Sequence, residues 1–238
     1  FAEVDGYPSV TFDNKSGFGR ALLHLIQKHN AKKIGLVSGP ETNRDARERL
    51  NAFVEIMAAN NLECPAERIV YGDFTEGSYK ATEKLLNDNP DLDAVMFAND
   101  LMAFGSYKVF EKRGLVIGKD ILVASFDDDD FSASMTPPLT TVEASSADLT
   151  YKAMLNAEEY INGSAAGKVS VDTFLVQRNS CGCSGLDIDG LKIRFNLSDM
   201  TSDSDDSISS LKKYLFGVFS GDSQALKITE YFEEFCSS

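Results

Sequence analysis

No stretch of this 238-residue chain holds the ~20 consecutive apolar residues of a bilayer-spanning helix, so a helical membrane span is not expected. Positive charge is scarce. Lys and Arg number 23 against 37 Asp and Glu, a net charge of −14. Nucleic acids are held by Lys and Arg neutralising phosphates, so no nucleic-acid surface is expected on this chain, and anionic membranes are disfavoured for the same reason. The first residues, Phe1-Ala-Glu-Val-Asp-Gly-Tyr-Pro8, lack the basic and apolar segments of a secretory signal and an initiator Met. A piece of a longer, cytoplasmic protein is the expectation.

Cysteine and histidine are also few, at four and two. Cys181-Gly-Cys183 is closer than an ordinary zinc pair. Neither a second pair nor a neighbouring His completes a site along the sequence, so reduced thiols and no metal are expected. His24 sits among apolar helix residues, where a packed core histidine is expected. Nucleophile-elbow, P-loop, dinucleotide-binding and zinc-protease signatures are all missing. Neither Asp127–Asp130 nor Asp187-Ile-Asp189-Gly190 has the glycine and glutamate of a calcium loop. An enzyme or a cofactor is therefore not expected, although Asp73 and Asp127 are carboxylates of the type used in acid–base work.

What the chain does have is alternation of two periods. Ser9–Phe12, Ile34–Val37, Arg68–Tyr71, Ala94–Phe97, Ile121–Phe126, Thr140–Ala144 and the run Val169–Gln177 read as strands, rich in Val, Ile and Phe. Between them lie apolar residues at helical spacing, as in Phe18, Leu22, Leu25 and Ile26, or Ala46, Leu50, Phe53, Val54 and Met57. Ser16 is expected to cap the first of these helices. Thr75 and Asp100 are expected to cap two others, and Ser146 to open a helix to about Ile161. Strand and helix in alternation predict an α/β fold with a doubly wound, parallel sheet.

Parallel strands bring their carboxyl ends to one edge, and open α/β sheets bind ligands beyond that edge. The residues just past the strands are Ser38-Gly39, Asp73-Phe74, Asn99-Asp100 and Asp127-Asp128, and Arg49, near a helix start, can face the same rim. Polar strand-end loops also occur without any ligand. Asp, Arg and Asn together can clamp neighbouring hydroxyls, and an aromatic face can cover a sugar ring or base. Asp128, Asp129 and Asp130 are expected to be a solvated loop, as charge runs usually are.

An ordered series of segments resembles the effector-binding domain of the lactose-repressor/galactose-repressor family, itself similar to periplasmic sugar-binding proteins. The series is Phe12-Asp-Asn-Lys-Ser-Gly17 with Leu22-Leu-His-Leu-Ile26, Ile34-Gly-Leu-Val-Ser-Gly39 with Arg49 to Phe53, Val95 to Gly105 through Ala98-Asn99-Asp100, Asp120 to Asp128, and Pro138-Leu-Thr-Thr-Val142. It covers roughly residues 8 to 178. The resemblance implies a periplasmic-binding-protein-like (type I) fold with two lobes and a small polar effector, such as a sugar, between them. It places ligand contacts at Arg49, Phe74, Asn99 and Asp127, with Asp73 and Phe126 beside them. It implies a regulator that passes occupancy to a DNA-binding or signalling module, commonly as a homodimer. A solute-binding receptor of a sugar transporter is the alternative.

Ala52 and Ser125 stand where the family usually has Gly. Most of the family's first lobe precedes the Asp-Asn segment and has no counterpart here. The implied organisation is an effector-binding domain at 1-183, mainly the C-terminal lobe (13-141 and 169-183), with 1-12 and 142-168 belonging to a truncated first lobe. A one-walled cleft is expected to bind its effector weakly or not at all. Arg178-Asn-Ser-Cys-Gly-Cys183 resembles the close of family members fused to signalling modules. Residues 184-238 read as an acidic linker and a helical extension, with apolar spacing at 211–219 and 226–235.

Overall fold

The computed structural model describes residues 7–163 and 167–184. The helices expected at 211–219 and 226–235 lie outside the described residues.

The centre is a four-stranded parallel sheet in the order β3 (Ile69–Tyr71), β2 (Ile34–Ser38), β4 (Ala94–Phe97), β5 (Leu122–Ala124). β2 and β4 are buried at every residue, as the short apolar strands predict for a sheet covered on both faces. The period of two sorts their side chains. Ile34, Leu36, Ala94 and Met96 face a cluster with Phe18, Leu22, Leu25, Phe53 and Met57, from helices α1 (Asn14–His29) and α2 (Arg44–Ala59). Val37, Val95, Phe97 and Val123 face Leu85, Met102, Val109 and Phe110, the first from α3 (Tyr79–Asp88) and the others from α4 (Asp100–Lys112). The predicted doubly wound α/β architecture is what the chain adopts.

Beyond Ala124 the chain leaves the four-stranded ladder but not the sheet edge. Asp127 N donates to Val142 O at 2.8 Å and Val142 N to Ser125 O at 3.2 Å, so β6 (Thr141–Glu143) continues beside it. β6 pairs antiparallel with β8 (Phe174–Val176). A separate parallel pair, β1 (Ser9–Phe12) with β7 (Lys168–Val171), carries the helix α5 (Ser146–Ile161).

Several local expectations change. Asp13, not Ser16, caps α1: its side chain accepts from Ser16 N at 3.0 Å, which places Ser16 inside the first turn. Asn99, not Asp100, caps α4. Ser145 caps α5, and Thr75 caps a 3₁₀ turn (Glu76–Ser78) that runs into α3. The extended run at 169–177 is two strands in two sheets. It breaks at Thr173, whose Oγ1 donates to Asp13 O at 3.0 Å and lies where a Cβ on Gly17 would stand.

Candidate functional site

The carboxyl ends of β2, β3, β4 and β5 meet on one rim, and α2 turns Arg49 into it. Arg49 is only 5% exposed. Its Nε donates to Asn14 Oδ1 at 2.9 Å and its Nη1 to Ala98 O. The guanidinium carbon lies 3.7 Å above the centre of the Phe126 ring, and Nη1 stands 3.6 Å from Asp127 Oδ1. Burial pushes the guanidinium's pKa down, and the nearby carboxylates, Asp127 first, hold it up. Phe126 is fully buried, so its part is to seat Arg49 from beneath.

Asp127 projects from the end of β5 with φ 118°, a backbone conformation rare for any residue but glycine. Burial pushes its carboxyl up to about 7, against the pull of Arg49, although its side chain remains 34% exposed. Water reaching that side chain works against the full push of burial.

Asn99 serves two neighbours. Its Oδ1 accepts from Met102 N at 3.1 Å, closing the α4 N-terminus, and its Nδ2 donates to Phe74 O at 3.2 Å. The cap thereby ties the β4 end to the β3 end. Phe74 has φ 65°, and its ring lies so close to Gly39 that no Cβ fits there. The glycine after β2 is needed for the phenyl ring to lie over the rim. Asp73 is exposed and braces this turn. Its Oδ1 accepts from Thr75 N at 3.0 Å, Thr75 Oγ1 at 2.7 Å and Ser78 Oγ at 2.8 Å, and these bonds hold its carboxyl below the ordinary value.

The structure therefore joins Arg49, Asp127 and Phe126 in direct contact, and Asn99 to Phe74 through a backbone carbonyl. Asp73 supports that set through the loop it caps. Sequence spacing missed three neighbours. Asp100 is fully buried and accepts from Asp129 N at 3.0 Å, Ser132 Oγ at 2.6 Å and Thr141 Oγ1 at 2.7 Å, so it organises the aspartate loop. Burial raises its pKa, and the Ser132 and Thr141 hydroxyls lower it. Asn14 orients Arg49. Arg178 Nη2 lies 2.7 Å from Asp128 Oδ1, with side chains 19% and 14% exposed. Asp128 is thus a paired structural residue, not part of a solvated loop, because the segment at Arg178 folds back against it. Asp130 is exposed.

The expectation that no histidine stands near Cys181-Gly-Cys183 is also corrected. Ser180 Oγ donates to Val123 O at 2.7 Å and Val123 N to Ser180 O at 2.8 Å, fastening this segment to β5 beneath α1. That brings His24 and His29 onto the two cysteines across more than 150 positions of sequence. No spacing along the chain reports such a closure.

Residues 22–181 match the periplasmic binding protein-like domain. The chain belongs to that family. Among curated relatives, the transcriptional repressor CytR of Escherichia coli (strain K12) is 30% identical over 183 residues, 76% of this chain and 53% of the repressor. The lactose operon repressor of the same organism is 32% identical over 136 residues, 57% and 37%. The regulator CelR of Thermobifida fusca is 32% identical over 134 residues, 56% and 39%. The chain spans about half the length of these relatives, or less. Among solved structures, the CelR–cellobiose complex superposes with a TM-score of 0.70 at 27% identity, over 75% of this chain and 55% of that one. The lac repressor dimer bound to operator and an anti-inducer does so at 0.70 and 28%, over 74% and 53%. These relatives are transcription regulators, which does not favour the transport-receptor alternative.

Proposed function

We propose that this chain supplies the effector-binding region of a cytoplasmic, non-enzymatic regulator, which takes a small polar ligand such as a sugar and passes its occupancy to an attached DNA-binding or signalling module. The observation that carries this reading is the Arg49–Asp127 pair. At 3.6 Å it is longer than the ~2.7–2.9 Å of a direct charge-assisted hydrogen bond, so neither group is saturated by the other. A ligand hydroxyl placed between them can accept from the guanidinium and donate to the carboxylate at once. Phe74 and Asn99, tied to each other at neighbouring strand ends, are the further contacts in this reading.

Backbone strain supports the same place. Among the described residues, five other than glycine have positive φ: Asn30 and Asn61 follow helices, where Asn is well tolerated, and Phe74, Asp127 and Asp128 lie at the rim. Strained φ/ψ persists where surrounding structure holds it, often at binding sites. The relatives support regulation over catalysis: the regulator CelR forms a complex with cellobiose, and the lac repressor is a dimer on its operator. A homodimer is part of the proposal for the whole protein. DNA contact through this acidic region is not, and the described residues include no helix long and apolar enough to cross a membrane.

The test is a thermal-shift and calorimetric screen of neutral sugars and nucleosides against the gene product spanning both lobes. A hit should be lost in both Arg49→Ala and Asp127→Ala while the fold is retained. A ligand bound equally well by both variants refutes the site. Substrate turnover that needs no attached module refutes the regulatory reading.

A further inference from the structure

His24 Nε2 lies 3.3 Å from Cys181 Sγ and 3.5 Å from Cys183 Sγ. His29 Nε2 lies 3.2 Å from His24 Nε2 and 3.2 Å from Cys183 Sγ. All four donor atoms fall within 4.8 Å of one another. Zinc–nitrogen bonds of ~2.0–2.1 Å and zinc–sulfur bonds of ~2.3 Å, set at the tetrahedral angle, put neighbouring donors about 3.3–3.8 Å apart. The four distances given above, 3.2–3.5 Å, lie at or just below the short end of that range.

The surroundings suit a held ion. Cys181 is buried, and Cys183 and both histidines are partly buried. Gly182 has φ 91°, and a Cβ on it would stand 3.0 Å from Gly118 O and 3.1 Å from Leu122 Cδ2. That turn lets both cysteines of the Cys-Gly-Cys segment face the histidines, and only glycine makes it without strain. Gly182 N donates to Asn179 O at 3.0 Å and Asn179 Nδ2 to Cys183 O at 3.1 Å, so the turn is braced. A metal-free network is poorer: both Nε2 atoms point at each other as well as at sulfur, and a neutral imidazole carries one proton for its two nitrogens. In that state the Cys181 thiol reaches Arg178 O at 3.4 Å.

We propose that His24, His29, Cys181 and Cys183 form a tetrahedral site for one zinc ion. Two thiolates and two imidazoles select a thiophilic ion over calcium or magnesium. Binding releases the two thiol protons to solvent, and the thiolate charges offset that of the ion, so the partly buried site stays neutral. The ion joins the last two turns of α1 to the segment 178–183 on the edge of β5. The site is independent of the rim, and its test does not depend on ligand binding there.

The 238-residue chain, expressed in zinc-supplemented medium and purified under reductant, should retain one zinc per chain through desalting, measured by elemental mass spectrometry. Its cobalt(II) form should show the intense d–d bands of a tetrahedral ion and thiolate-to-cobalt charge transfer. Cys64→Ser should keep the metal. Cys181→Ser with Cys183→Ser should lose it and the charge transfer, and His24→Gln with His29→Gln should lose the metal. Because a double variant can fail to fold, the cobalt titration of the unaltered chain stands as a test by itself. A folded, reduced chain with less than about a tenth of an equivalent of zinc and no cobalt charge transfer overturns the proposal. So does a Cys181-Cys183 variant that keeps its full metal content.

Discussion

α1 and α5 are both 16 residues long, and both are capped by a side chain that accepts from the third residue after it. Their fates differ. α1 buries Phe18, Ala21, Leu22 and Leu25 against the sheet, whereas Asn156 alone is buried in α5. Tyr151, Met154 and Ile161 of α5 are 64%, 68% and 81% exposed. Caps and spacing are enough to make a helix, but the energy of burial comes from the partner it finds. Beside β1 and β7, α5 carries the apolar side chains of a core without the layer that would cover them among the described residues. We propose that the rest of the first lobe supplies that layer, in keeping with a match that covers 53% of the CytR repressor.

Substitution separates the two regions most sharply. Phe53→Ala or Phe97→Ala, each fully buried, should cost about 3–5 kcal/mol in urea unfolding. A loss below ~1 kcal/mol would remove the claim that the four-stranded sheet carries the stability. Asp100→Ala should cost about 2–3 kcal/mol, because Ser132, Thr141 and Asp129 N lose a buried shared acceptor. The companion variant Asp130→Ala, in the same loop but exposed, should be neutral within about 0.5 kcal/mol.

The Asp127 carboxyl, pushed up to about 7, holds its proton more tightly in the fold than in the unfolded chain. Such a group favours the fold in acid, and its contribution fades as pH rises from the ordinary 3.8 toward 7. Asp127→Asn should remove that downward slope from the stability profile. A carbon-13 titration of the carboxyl should show a midpoint well above the ordinary carboxylate range. An ordinary midpoint would mean that solvent at this 34% exposed side chain outweighs burial. Smallest of all, Met154→Ser and Ile161→Ser should change the stability of this chain by no more than about 0.5 kcal/mol. In a chain with both lobes the same pair should become costly, and failure of that contrast would break the account of α5.

Most of the framework was legible because it is local. Alternating apolar periods gave the helices and strands of the sheet, and strand ends gave the rim. Caps were displaced by three residues at Asp13 and by one where two adjacent polar side chains competed, as with Asn99 and Asp100. Asp100, an acceptor only where Asn99 both donates and accepts, was drawn inward by hydroxyls far along the chain. Arg49 was legible as a rim residue, but its seat on Phe126 and Asn14 was not. The Asp128–Arg178 pair and the histidine–cysteine cluster depend on the segment 178–183 crossing back to β5, and residue order carries no trace of that.

Asp127 and Asp128 are neighbours with opposite attachments. One reaches toward the rim, the next is bound to Arg178, and both have positive φ. A peptide pinned at both of its residues has little slack. Whatever draws Asp127 forward must turn this two-residue crank, and the turn is delivered to the segment that begins at Arg178. The first displacement on occupancy should therefore be sought at that guanidinium, far along the chain yet one residue from the contact.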